Sequence, residues 1–172
     1  MTRHLILVGL PGAGKTTVGR RAAEMLSADF TDIDETVEAE TGHSIAAIFA
    51  ESGEAEFRRL ERAAMDRALA RPPHLIAAGA GWIAQPGNFD TAVAAGASVL
   101  YLRISTEAAA GRVGRDQSRP LLAGGDPSAR LRGLLREREP WYRKADYEVA
   151  ADADVETVAA RVVELAAQPP AG

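Results

Sequence analysis

The chain has 172 residues, 47% of them apolar, which suffices for one α/β domain with a proper core. Its net charge of −4 gives no global field for holding a polyanion such as DNA, and the absence of cysteine rules out disulfides, thiol nucleophiles and cysteine-based zinc sites. No segment is long enough to span a bilayer, and the apolar stretch Leu5 to Leu10 is too short for a signal-peptide core, so the cytoplasm is the expected location.

The run from His4 to Val8 reads as a buried strand that ends in glycine, and a helix should follow from Lys15 to about Ser27. Between them lies Gly9-Leu10-Pro11-Gly12-Ala13-Gly14-Lys15-Thr16, which satisfies GxxxxGK[ST] in the strand-then-helix context that gives the motif its meaning. Glycines let successive N–H groups converge on phosphate oxygens, and the helix N-terminus adds partial positive charge. Lys15 is placed to reach the β- and γ-phosphates and Thr16 to offer its hydroxyl to Mg²⁺, with Gly12, Ala13, Gly14 and Thr17 completing the cradle. The chain has no Asn-Lys-x-Asp motif for reading guanine, which favours ATP.

Phe30 to Asp34 is predicted as the second strand, with Asp32 and Asp34 two apart at its end and both carboxylates on one face. Such a pair suits a Mg²⁺ environment at Asp32 and an acceptor alcohol at Asp34; the plainer alternative has Asp34 capping a helix that starts at Glu35. That helix extends to Ala50 with an interruption near Gly42, and a longer one follows Gly53 with Phe57, Leu60, Ala64 and Ala68 as its buried stripe. Arg58 falls at the edge of this stripe with Glu61 three residues on. The two form either a routine surface ion pair or a guanidinium held in place for a substrate carboxylate.

Leu75 to Ala78 makes a third strand opening onto Gly79-Ala80-Gly81, and Ser98 to Arg103 a fourth. A helix begins at Thr106 and runs to about Gly111. The stretch from Gly114 to Pro127 reads as a polar, glycine-bearing loop containing Arg119, which could swing over the phosphates as the loop closes. The next helix starts at Ser128, its predicted N-cap, and ends near Pro140, with Arg138 close to that end and Trp141 and Tyr142 read as packing residues. Tyr147 to Ala151 is the last strand and Val155 to Ala167 the last helix. Strands alternating with helices imply a parallel sheet covered on both faces, with ligands at the carboxyl ends of the strands.

The segments GLPGAGKTT, DIDETVEAETGHSIAAIFAESGEAEFRRLE, GAG, RPLLAG and REREPWYRKA, in this order over about four-fifths of the chain, resemble the shikimate kinase family. The resemblance implies an α/β, three-layer P-loop fold of the nucleoside monophosphate kinase type, with a five-stranded parallel sheet in the order 2-3-1-4-5. It implies a single kinase domain over 1–167, with an acceptor-binding region at about 34–60, a lid at about 112–127 and a flexible tail at 168–172. It further implies transfer of the γ-phosphate of ATP, with Mg²⁺, to the 3-hydroxyl of shikimate. In that reading Lys15, Asp34 and Arg119 are catalytic. Asp34 binds the ring hydroxyls, Arg58 and Arg138 clamp the carboxylate with the backbone of Gly79, Ala80 and Gly81, and Arg112 lies along the adenine. A monomer suffices, without nucleic acid or membrane. The competing readings are a related kinase for another hydroxy acid, such as gluconate, and a non-catalytic nucleotide-binding module.

Two features depart from the family pattern. Its usual triple glycine reads Gly-Ala-Gly here, which matters only if position 80 needs a positive φ, and the segment 151–155 lacks the basic residue often found near the adenine.

Overall fold

A computed structural model describes residues 1–113 and 126–168. Five strands, β1 (Leu5–Val8), β2 (Phe30–Asp32), β3 (Leu75–Ala77), β4 (Ser98–Arg103) and β5 (Tyr147–Ala150), form one sheet in the order β2-β3-β1-β4-β5, every pairing parallel. Helices α1 (Lys15–Leu26), α2 (Ile33–Thr41), α3 (Ile45–Leu69), α4 (Asn88–Ala94), α5 (Thr106–Val113), α6 (Pro127–Tyr142) and α7 (Val155–Ala166) cover both faces. The central strand β1 is buried along its whole length, as a strand covered on both sides must be, and its four consecutive apolar residues supply that burial. Because all strands run the same way, the chain leaves β1, β2 and β3 at one edge of the sheet. The phosphate loop, Asp32 and the Gly79 turn are thereby brought together.

The structure moves several predicted boundaries. β2 ends at Asp32, not Asp34: the Asp32 side chain accepts from the Glu35 N–H and so caps α2, leaving Asp34 in the first helical turn. Asp126, not Ser128, caps α6 by accepting from the Ser128 and Ala129 N–H groups, and Pro127 then fits the first turn, where its missing N–H costs nothing. That helix also continues through Pro140 to Tyr142. The segment after Gly81, for which the sequence predicted no element, holds a 3-10 turn (Trp82–Ala84) and α4.

The break expected at Gly53 is present, since Gly53 interrupts α3 with φ +81°, a backbone state that only glycine adopts without strain. Beyond it the buried stripe is Phe57, Glu61, Ala64, Met65 and Ala68, while the predicted Leu60 is only half-buried. A carboxylate therefore sits where an apolar side chain would be the default.

Candidate active site

The phosphate loop joins β1 to α1. Gly12 and Gly14 hold positive φ values of +83° and +87°, and no side chain caps α1, so its first-turn N–H groups remain for a ligand. Lys15, nearly buried, folds its Nζ onto the carbonyls of Gly9 at 3.0 Å and Leu10 at 3.2 Å. The Thr16 hydroxyl donates to Asp32 Oδ2 at 2.6 Å, so the two residues predicted for Mg²⁺ already touch. Hydroxyl and carboxylate oxygens are the donors that a hard, partly hydrated cation accepts.

A cleft of about 510 Å³ is lined by Gly12, Gly14, Lys15, Thr16 and Thr17 of the loop, by Asp32 and Asp34, and by Arg112. The Arg112 guanidinium spans the rim, donating to Gly12 O at 3.4 Å and Ala151 O at 2.9 Å. A larger groove of about 800 Å³ lies outside β2, but Arg20, Arg67 and Arg71 in it are already paired with Glu35, Glu40 and Asp29, and it has no phosphate loop.

Four charged side chains from three helices, with Asp34 of the cleft lining among them, converge on the turn after β3. A Cβ added to Gly79 would fall 2.1 Å from Glu61 Oε1 and 3.0 Å from Asp34 Oδ1; one added to Gly81 would fall 2.7 Å from Arg58 Nη2 and 3.2 Å from Arg138 Nη2. Arg58 donates to Glu61 at 2.8 Å and to Glu54 at 3.2 and 3.3 Å, and its guanidinium lies over the Phe57 ring. Glu61 is 1% exposed, and burial pushes its carboxyl up to about 7 against the lowering effect of Arg58. Among the described residues, Glu61 Oε1 and Arg138 Nη1 are buried without a hydrogen-bond partner. Buried polar atoms in that state are completed by a ligand or by an ordered water.

The structure thus brings together Lys15, Thr16, Asp32, Asp34, Arg112, Arg58, Gly79, Ala80, Gly81 and Arg138; Arg119 and the lid segment 114–125 lie outside the described residues, as does the tail at 169–172. Asp32 and Asp34 do not share a strand face as predicted. Asp32 turns to Thr16, and Asp34 turns to the Gly79 turn. Glu61 was visible in the sequence only as a possible partner of Arg58, and its place in the buried stripe was not predicted.

Comparisons with known proteins place the chain in a family. A family model for shikimate kinase matches residues 11–167. The chain belongs to the shikimate kinase family. A shikimate kinase of Mycobacterium avium is 43% identical over 145 residues, 84% of this chain and 81% of its own, and one of Thermobifida fusca is 49% identical over 139 residues, 80% and 78%. The solved structure of a shikimate kinase from Acinetobacter baumannii in complex with shikimate matches with a TM-score of 0.91 at 36% identity, covering 96% of this chain and 93% of that one.

Both departures from the shikimate kinase pattern acquire a physical account. Among the described residues Ser27 alone of the non-glycines has positive φ, so Ala80 carries no left-handed strain. The two glycines retained in this shikimate kinase turn are those whose added Cβ would collide with the charged side chains. The loop at Ala151 has no basic residue of its own, yet a guanidinium reaches it from α5 through Arg112.

Proposed function

We propose that the chain is a kinase that transfers the γ-phosphate of ATP to the 3-hydroxyl of shikimate, giving shikimate 3-phosphate and ADP. The observation that carries this reading is the convergence of Asp34, Glu61, Arg58 and Arg138 on the Gly79–Gly81 turn, with Asp34 also lining the cleft of the phosphate loop. Two guanidinium groups beside Asp34, and a Glu61 whose carboxyl burial raises, suit an acceptor carrying a carboxylate.

In this reading the N–H groups of Gly12 to Thr17 and Lys15 hold the triphosphate, and Arg112 lies along the adenine at the rim. Thr16 and Asp32 would hold Mg²⁺, which supplies charge neutralisation at the β- and γ-phosphates. Arg58 and Arg138 grip the acceptor carboxylate, aided by the backbone of Gly79, Ala80 and Gly81, and Glu61 fixes the fork of Arg58. Asp34 orients the ring hydroxyls and receives the proton late, because a loose phosphoryl-transfer transition state asks for positioning more than for a strong base. Arg119 serves the phosphates from the lid at about 112–127, in a single kinase domain over 1–167 with the acceptor region at about 34–60. No helix among the described residues is long and apolar enough to cross a membrane. The cytoplasm and a monomeric state complete the reading.

The test is transfer of labelled phosphate from ATP to shikimate, quinate, gluconate and nucleoside monophosphates, with Asp34→Asn alongside. Shikimate should be preferred and Asp34→Asn should lose turnover; preference for any other acceptor would retire the assignment.

A further inference from the structure

The turn after β3 contains an unresolved tension between its sequence and its conformation. Trp82 N–H donates to Gly79 O at 3.0 Å, closing a β-turn whose central residues are Ala80 and Gly81. Gly81 has φ −103° and ψ −2°, and Ala80 has no positive φ, which is the type I geometry. Glycine at the third position of a turn, however, favours type II, which is reached by rotating the central peptide through about 180° so that this residue takes φ near +80°. Gly81 is glycine for a separate reason, the approach of Arg58 and Arg138 to within 2.7 and 3.2 Å of where a Cβ would be. The site thereby gains a peptide that is free to turn over.

Among the described residues, one contact opposes that rotation. The Tyr142 hydroxyl donates to Ala80 O at 2.5 Å, and this carbonyl belongs to the peptide that would rotate. The neighbouring bonds do not hold it, since Ala84 N–H and Gln85 Nε2 both donate to Gly81 O, one peptide further on. Tyr142 itself has no room to follow. Its ring is fully buried and stacks on Tyr101 at 4.9 Å and 17°, and Tyr101 pairs in register with Val8, the residue before the phosphate loop. Arg138 lies one turn earlier on α6, so one helix supplies both a guanidinium at the acceptor pocket and the hydroxyl beneath the turn.

We propose that Tyr142 is a positioning residue that latches the Ala80–Gly81 peptide, resting on the acceptor-site reading above. With Ala80 O held by the phenol, the planar trans peptide points the Gly81 N–H the opposite way, where it serves the acceptor carboxylate beside Arg58 and Arg138. Without the hydroxyl, Gly81 allows the flipped turn and the N–H is withdrawn from the acceptor, while the phosphate loop is untouched.

Tyr142→Phe removes one oxygen and keeps the ring stack. The hydroxyl also hydrogen-bonds the Arg138 side chain, so its loss should raise KM for shikimate by about tenfold, with KM for ATP within about twofold of the parent. The φ-reporting coupling of Gly81 in the folded variant separates the latch, which predicts averaging to positive φ, from a loosened Arg138, which leaves φ negative and overturns it. An unchanged KM for shikimate, or equal rises in both constants, would overturn the latch, the second outcome marking a merely structural role. Arg58→Ala, assayed in parallel, separates this from the parent reading: if it leaves KM for shikimate unchanged, the acceptor site itself is misassigned. Should Tyr142→Phe fail to fold, the three-bond coupling that reports φ at Gly81 in the acceptor-free parent protein decides. A negative φ supports the latch, and averaging to positive φ refutes it.

Discussion

Replacing Gly79 with alanine adds one methyl group at the point where two carboxylates meet the turn. The new Cβ would lie 2.1 Å from Glu61 Oε1, whereas ordinary contact begins at 3.4 Å, so the turn or the carboxylate must give way by about 1.3 Å. Glu61 cannot retreat cheaply. It is buried on α3 and bound to Arg58 at 2.8 Å, so a displaced Glu61 carries the Arg58 fork with it. A misplacement of about 1 Å at a reacting centre costs roughly 10²-fold in rate, equivalent to about 2.7 kcal/mol of barrier. Gly79→Ala should therefore lower kcat/KM for shikimate by about 10²-fold in a coupled ADP-release assay while KM for ATP stays within about twofold. The melting temperature should also fall by several degrees, because overpacking costs about 1–3 kcal/mol and each kcal/mol is worth about 2–4 °C at this chain length. A variant that keeps its parent's kcat/KM for shikimate to within about threefold would refute the claim that this turn is packed against the acceptor groups.

Two predictions concern stability against pH, with opposite signs. Folding raises the Glu61 carboxyl from 4.5 to about 7, so the folded state holds a proton that the unfolded state has released, and the stability this confers is present below 4.5 and lost as pH rises through about 7. Glu61→Gln should lack that loss in thermal unfolding between pH 5 and 9; a variant whose profile parallels the parent would refute the assignment. His74 behaves the other way. Burial foremost holds it below its ordinary 6.5, in a neutral form that donates from Nδ1 to Pro72 O at 2.8 Å, accepts from Thr31 at Nε2 and gives its backbone N–H to His4 Nδ1. The unfolded chain then takes up a proton first, so stability should fall as pH drops through 6.5, and His74→Gln, although less stable overall, should show a flatter acid limb. Equal acid limbs in the two proteins would show that His74 does not titrate in this transition.

The parts of the molecule legible from the sequence are those made by neighbours along the chain. Strands β1 and β4, helix α1 and the helix after Gly53 follow from local patterns of apolar residues and glycine, and the structure alters them by a residue or so. The misplaced boundaries have a common cause. Asp32 against Asp34, and Asp126 against Ser128, are choices among adjacent residues that can all cap a helix, and the backbone position of the first turn decides between them. The segment from Trp82 to Ala94 is not legible in the sequence because its elements, of three and seven residues, are too short to show a period, although Gly81, Pro86, Gly87 and Gly96 bound them, and their order comes from packing on α3, α6 and β4.

The amino-acid sequence by itself determined the loop between β1 and α1, because an eight-residue motif running from the end of the strand into the first helical turn fixes where Gly12, Gly14, Lys15 and Thr16 stand. Only the tertiary structure decided how the charged groups named from the sequence pack around the β3 turn. The burial of Glu61, the approach of Arg58 and Arg138 to Gly81, the negative φ of Gly81 and the bond from Tyr142 to Ala80 each join residues from different helices and the β3 turn. Spacing along the chain carries no information about such contacts, since they exist only once a parallel sheet has brought the ends of its strands to one edge and the helices have packed around them.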